Sequence, residues 1–145
     1  MSCKLNRAFS IICFNNDLSR FKLFKNLIKL EPTDESGYLG LGDTEYLVRG
    51  NIDQAISIWD QGREEAGDSL PLLLRIAEGQ TNLFKFDDVE KTLEAVDKYM
   101  STLSAQGLER NRNWATASAS LFRGKMLLAR NKPVEAIGEL KVAAD

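Results

Sequence analysis

The fold is decided by residues 36–67, SGYLGLGDTEYLVRGNIDQAISIWDQGREEAG. Their apolar pattern predicts two amphipathic helices joined at Gly50, because glycine readily takes the left-handed backbone angles that end a helix. Ala55, five residues beyond that glycine, is small enough for the second helix to approach the first closely. Tyr46 and Trp59 are expected to fill the space between the two helices. The stretch therefore predicts a helix-turn-helix unit.

The spacing of Tyr46, Gly50, Ala55 and Trp59 resembles that of a tetratricopeptide repeat. Comparison of the chain with itself finds the pattern three more times, which is how helical repeat proteins are identified from sequence. The second and fourth copies are closest to the family pattern. The four copies cover approximately residues 1–32, 33–67, 68–106 and 113–145. The resemblance implies an all-α fold, a right-handed α-solenoid of about four helix-turn-helix repeats, with residues 1–145 as a single domain.

The helix boundaries are predicted from prolines and from polar stretches. Pro32, Pro71 and Pro133 are expected at boundaries, because proline has no amide hydrogen to donate inside a helix. Residues 101–113, STLSAQGLERNRN, are polar and show no clear inner face. They predict an extended last helical turn that ends near Gly107, followed by a loop before the fourth copy.

Two glycines, Gly40 and Gly42, lie within the first predicted helix of the central stretch. A glycine inside a helix costs about 1 kcal/mol relative to alanine, so each of them needs a reason. One explanation is close packing against a neighbouring helix. The other is the floor of a groove that is left open for a ligand.

The composition is that of an ordinary globular protein, with 145 residues, 43% apolar and 28% charged. The net charge of −2 argues against a general nucleic-acid binder. Residues 1–30 nevertheless hold six basic residues and one acid, a local charge of +5, while the remainder holds 13 basic and 20 acidic residues, a charge of −7. The basic segment either meets an acidic partner or forms a solvated face.

The sequence predicts no catalytic, cofactor-binding or metal-binding site. The chain has no histidine, so the usual catalytic triads and the usual zinc ligand sets cannot be built. Cys3 and Cys13 would lie about 15 Å apart on one helix, which is too far for a disulfide. The glycines of residues 37–42 lie in a helical pattern and follow no strand, so they do not predict a phosphate-binding loop. We therefore expect a protein that is not an enzyme and carries no cofactor.

The cysteine pattern and the hydropathy also bear on the compartment. Two unpaired cysteines favour a reducing compartment such as the cytoplasm, and the periplasm stays open as an alternative. Residues 1–14 hold a short apolar run after Lys4 and Arg7, but no small-residue cleavage site follows, so a helix is expected there rather than a signal peptide. No stretch approaches the roughly 20 apolar residues of a membrane span.

In tetratricopeptide-repeat proteins, the first helix of each pair lines a concave groove that binds a partner. Carried over position by position, the resemblance implies that this groove contains Asn6, Phe9, Gly40, Leu41, Thr44, Glu78, Thr81, Lys85, Leu121, Phe122 and Lys125. Leu47 and Leu128 also align with groove positions, with the core as their alternative. The basic and amide residues with which chaperone-binding members grip a terminal carboxylate are absent at the matching positions. The groove is expected to be apolar, which suits an amphipathic helix or an extended apolar segment.

The implied function is a non-catalytic scaffold or adaptor that binds a peptide or helix of a partner protein in the groove. The alternative is self-association into a homo-oligomer through the terminal helices, because no polar capping helix follows the last predicted pair. A chain that is a fragment of a longer array would show the same feature.

A third alternative is a helical-repeat RNA binder, whose concave face should be basic, and the predicted groove is not. Trp114 lies close to Arg110 and Arg112, and such a group can stack a nucleobase. A tryptophan at a helix start is more often part of the core, which is the interpretation we favour. No nucleic-acid partner is therefore expected.

Overall fold

The computed structural model describes residues 18–144, and every regular element in that range is an α-helix. The first helix, α1, covers residues 18–30. The six that follow are α2 (Glu35–Leu47), α3 (Ile52–Ala66), α4 (Leu70–Asn82), α5 (Phe86–Thr102), α6 (Ala105–Ala129) and α7 (Pro133–Ala144). The predicted all-α class is confirmed for these residues. The candidate groove residues Asn6 and Phe9, and both cysteines, lie outside the described residues.

The chain divides into two compact units, Met1–Gly67 and Asp68–Asp145. The division falls at the boundary predicted between the second and third sequence copies. Within the described range, the first unit holds α1 to α3 and the second holds α4 to α7. Each unit buries apolar side chains of its own.

In the first unit, α2 packs against both of its neighbours through glycines. A Cβ atom on Gly42 would overlap the indole of Trp59 on α3, and one on Gly40 would overlap the ring of Phe24 on α1. Trp59 is fully buried, and the ring centroids of Tyr46 and Trp59 lie 5.8 Å apart. Close packing against these two rings therefore accounts for both glycines. The predicted filling of the α2/α3 interface by Tyr46 and Trp59 is confirmed.

The helix ends of the first unit follow local backbone rules. The N–H of Ser36 donates to Asp34 Oδ1 at 2.8 Å, which caps α2, and hydrogen bonds from Ser36 lower the pKa of the Asp34 carboxyl. Gly50 takes a φ of +66° in the turn after α2, as predicted. Asn51 caps α3 by accepting a hydrogen bond from the N–H of Gln54 at 3.4 Å. Both helices thus begin at a side chain that satisfies a free backbone donor.

The second unit is built around α6. Helices α4 and α5 form a pair, α6 packs against both of them, and α7 packs against α6. The core joins three helices through Leu70, Leu73, Leu74 and Ala77 of α4, Val89, Leu93 and Val96 of α5, and Ala115, Ala119 and Phe122 of α6. At the α6/α7 contact, a Cβ atom on Gly124 would lie 2.7 Å from Leu140 Cδ2, and Ala136 is fully buried. Small residues therefore let α7 approach α6 closely.

The three prolines lie at helix boundaries, as predicted. Pro32 follows the end of α1, and Pro133 is the first residue of α7. Pro71 lies in the first turn of α4, where its missing N–H costs no helical hydrogen bond. Ser69 caps the same helix by accepting a hydrogen bond from the N–H of Leu72 at 3.4 Å.

The loop predicted after Gly107 is wrong. Helix α6 begins at Ala105 and continues unbroken for 25 residues, or about 37 Å. Ser104 caps it by accepting a hydrogen bond from the N–H of Gly107 at 3.2 Å, and Asn111 Nδ2 donates to the Gly107 carbonyl at 2.9 Å. Its first turns show no inner face in the sequence because their side chains are mostly exposed. Trp114, expected in the core, is also largely exposed.

We expect Gly42→Ala to lower the free energy of unfolding by about 2 kcal/mol, because the new methyl group has to displace a buried indole. Gly138 on α7 is the matched control, since a Cβ atom there meets nothing within 4 Å. Gly138→Ala should raise the free energy of unfolding by up to about 1 kcal/mol through helix propensity. Urea unfolding followed by circular dichroism measures both. Equal effects of the two substitutions contradict the packing of Trp59 on Gly42.

Candidate functional site

A cleft of about 410 Å³ opens between α1 and α2 in the first unit. Its floor includes Gly40 and the Phe24 ring that packs beside it, so the close approach of the two helices defines its base. The complete lining consists of Arg20, Leu23, Phe24, Gly40, Asp43, Thr44, Leu47 and Val48. Five of these eight residues are apolar or glycine, and the volume lies in the range of sites that bind ligands or side chains.

Three large apolar side chains of this lining are open to solvent. Leu23 is 61% exposed, Leu47 is 72% exposed and Val48 is 46% exposed. Single exposed apolar residues are ordinary on protein surfaces, but a group of them in one concavity is typical of an interaction site. Leu47 is the last residue of α2 and Val48 is its C-cap, so the turn after α2 places them at the cleft. The described part of the first unit, residues 18–67, therefore leaves this apolar surface exposed.

The polar groups of the cleft are few. The Thr44 hydroxyl donates to the Gly40 carbonyl at 2.8 Å, so it is satisfied inside α2. Arg20 and Asp43 place one charge of each sign on the lining. The cleft is thus suited to apolar contact, with two charged side chains that can orient what is bound.

Arg49, which follows the end of α2, contacts α1 and so stabilises the two helices that form the cleft. Its guanidinium lies 4.2 Å from the centroid of the Phe21 ring on α1, and its Nη1 donates to Glu45 Oε1 at 3.0 Å. Glu45 is buried, so this ion pair is shielded from water on one side. The ammonium of Lys25 lies 4.4 Å from the same Phe21 ring. The Arg49 contact stabilises the position of α1 against α2, whereas the Lys25 contact lies within α1.

Tyr38 holds the connection between α1 and α2. Its hydroxyl donates to the Pro32 carbonyl at 3.0 Å, and the residue is almost completely buried. Burial, followed by the negative charge of Glu65, raises the pKa of Tyr38. The hydroxyl therefore stays protonated, and keeps donating, throughout the neutral pH range.

Among the predicted groove residues of the first unit, the structure brings Gly40 and Thr44 together at the cleft. Leu41 is buried and does not line it. Leu47, for which the core was the alternative, is exposed at the cleft. A partner can therefore touch Leu47 but not the side chain of Leu41.

In the second unit, the predicted residues on α4 and after it have local roles. Glu78 pairs with Arg75 at 3.1 Å along the same helix. The Thr81 hydroxyl is buried and donates to the Ala77 carbonyl at 2.7 Å. Lys85 is exposed and occupies the N-cap position of α5.

The three predicted residues on α6 differ sharply in exposure. Phe122 belongs to the core cluster shared by α4, α5 and α6, so its assignment to a partner-binding groove is wrong. Leu121 is partly exposed and Lys125 is exposed, and Leu128 is exposed rather than part of the core. The carried-over register therefore agrees with the exposure of Leu121, Lys125 and Leu128 and fails at Phe122.

The sequence did not predict four of the cleft residues, Arg20, Leu23, Phe24 and Asp43. Leu23 is the exposed apolar residue among them, next to Phe24 on α1. An apolar residue on the polar side of an amphipathic helix is the signal that could have identified it.

Comparison of the chain with protein-family models, with curated proteins and with solved structures found no match. Within residues 18–144, no helix has the length and apolar character needed to cross a membrane. The α1/α2 cleft is therefore the feature from which a function has to be inferred.

We expect Phe122→Ala to lower the free energy of unfolding by about 3 kcal/mol, because it leaves a cavity among three helices. Leu47→Ala should change it by less than about 0.5 kcal/mol, since Leu47 is mostly exposed. Guanidinium unfolding monitored by circular dichroism compares the two. A loss at Leu47 as large as that at Phe122 contradicts the division between core and cleft.

Proposed function

We propose that this chain is a non-catalytic protein-interaction module whose α1/α2 cleft binds an apolar segment of a partner protein. The observation that carries the proposal is the grouping of Leu23, Leu47 and Val48, all exposed, in one cleft of about 410 Å³. Apolar surface of this kind gains free energy when a partner removes it from water. A partner of this module therefore presents apolar side chains.

The shape and charge of the cleft favour a helix or extended peptide as the bound segment. Two helices, α1 and α2, form its walls, and such grooves accept side chains spaced along one face of a peptide. Arg20 and Asp43 give the lining one positive and one negative group. A segment with an apolar face and charged flanks fits this arrangement, and the charges set its direction.

We also propose that the chain is built from repeats of the tetratricopeptide type, which its sequence resembles. Three helix pairs joined by short turns, α2/α3, α4/α5 and α6/α7, support it. The small residues Ala55 and Ala136 are both fully buried, which is what the repeat pattern requires of them. Under this proposal the chain is a right-handed α-solenoid scaffold or adaptor, and α2 is the partner-facing helix of the second repeat.

Self-association through the last helix is a second candidate. Helix α7 carries three exposed apolar residues, Val134, Ile137 and Val142. A homo-oligomer formed through α7 covers them, whereas binding in the α1/α2 cleft does not involve them.

We expect Leu47→Glu to weaken binding of apolar peptides at least tenfold, because the new charge has to be desolvated in the complex. The peptides are selected from a random library on the wild-type protein, and fluorescence anisotropy then gives their Kd for each variant. Val134→Glu is the matched control, since Val134 is 83% exposed and lies in the second unit. It should leave the Kd unchanged.

Circular dichroism checks that both variants stay folded. Selected peptides that bind Leu47→Glu as tightly as wild type contradict the cleft assignment. If the peptides instead lose affinity for Val134→Glu and keep it for Leu47→Glu, the binding site lies on α7.

A further inference from the structure

The turn between α4 and α5 contains a residue in an unfavourable backbone conformation. Phe84 has a φ of +58°, in the left-handed region, where a bulky side chain is rarely found. The equivalent turn positions after α2 and after α6 are Gly50 and Asn131, at φ of +66° and +57°. Glycine and asparagine are the residues that tolerate this conformation. Glycine or asparagine at position 84 would therefore form the same turn without backbone strain, as Gly50 and Asn131 do in the other two turns.

Packing inside the second unit does not account for Phe84. The residue is 75% exposed, and its ring meets that of Phe86 edge to face, with the centroids 6.0 Å apart. A strained conformation that leaves an aromatic ring in solvent lowers the stability of the isolated chain. Backbone strain of this kind is concentrated at functional sites, so a strained and exposed residue points to a role at this surface.

Phe84 borders a second cleft, of about 460 Å³, that carries charges of both signs. Three cations, Lys85, Lys91 and Arg130, and two carboxylates, Asp87 and Asp88, share its lining. Arg130 Nη2 lies 2.8 Å from Asp87 Oδ1, and Lys91 Nζ lies 3.7 Å from Asp88 Oδ1. The cleft is therefore neither an acidic nor a basic site, and its lining combines both signs of charge with two aromatic residues.

We propose that this surface is the interface of a symmetric dimer, in which Phe84 of each copy packs into the cleft of the other. A twofold axis brings the same patch onto itself, so a patch that contains both signs of charge can complement its own copy. A partner of uniform charge meets attraction from one half of the lining and repulsion from the other. Aromatic residues and arginine are also enriched at the centre of protein interfaces.

The exposed ion pair of Lys91 and Asp88 can exchange partners across such an axis. The side chains of Lys91 and Asp88 are 76% and 51% exposed, so their ion pair in one copy contributes little to the fold. In the dimer, each can pair with its opposite in the second copy, while Phe84 loses its exposed surface to the interface. This inference concerns the second unit and is independent of the α1/α2 cleft.

The test is sedimentation equilibrium of the full chain over micromolar to millimolar concentrations. The wild-type protein should show a reversible monomer–dimer equilibrium. Phe84→Asn should raise the dimer Kd at least tenfold while the Tm, measured where both proteins are monomeric, stays equal or rises. The rise in Tm reflects a residue type that suits the left-handed conformation. Leu30→Asn, which removes an equally exposed apolar side chain in the first unit, should leave the dimer Kd unchanged.

Charge reversal tests the symmetry of the interface. Asp88→Lys and Lys91→Asp should each weaken self-association, and an equimolar mixture of the two variants should form a heterodimer tighter than either homodimer. A wild-type protein that stays monomeric at every concentration overturns the proposal and assigns the surface to another partner. A dimer Kd that is unchanged in Phe84→Asn also overturns it.

Discussion

The first unit depends on two aromatic rings that lie directly against the backbone of α2. Phe24 of α1 packs on Gly40, and Trp59 of α3 packs on Gly42. Neither contact leaves room for a Cβ atom, so α2 is held between its neighbours at distances that only glycine permits. The two glycines weaken α2 as an isolated helix, and the buried surface of Trp59 offsets that loss. The helix is therefore stable because of its neighbours rather than through its own propensity.

The candidate site follows from the same contact. Because Phe24 packs onto Gly40, the adjacent Leu23 lies at the mouth of the cleft, where the end of α2 supplies Leu47 and Val48. Arg49, one residue further, secures α1 through the Phe21 ring and the buried Glu45. The residues that fix the helices and the residues exposed at the cleft thus alternate along the same short segments. Substitutions can separate the two groups, because Trp59 and Glu45 are buried whereas Leu23, Leu47 and Val48 are exposed.

Much of the fold could be predicted from the sequence, because glycine and proline restrict where a helix can begin or end. Small residues also mark where two helices can pack closely. Gly50 lies in the turn after α2, and Pro133 is the first residue of α7, where their backbone preferences require.

The sequence did not predict the structure where the apolar pattern was absent. The first turns of α6 are helical but mostly exposed, so no apolar period marked them. Phe122 was carried over as a groove residue but lies in the core beside the exposed Leu121, since adjacent positions on a helix point about 100° apart. Leu23 was missed because its contacts come from tertiary structure.

The most direct test of the account is hydrogen exchange at the two tryptophan indoles, followed by NMR. Trp59 Nε1 is buried and has no hydrogen-bond partner among the described residues, whereas Trp114 is 48% exposed. If Trp59 is sealed against Gly42, its indole proton exchanges only when the first unit unfolds, at a rate set by the free energy of unfolding. The Trp114 proton should then exchange at nearly the rate of free indole. Comparable rates at the two indoles contradict the packing on which the first unit and its cleft depend.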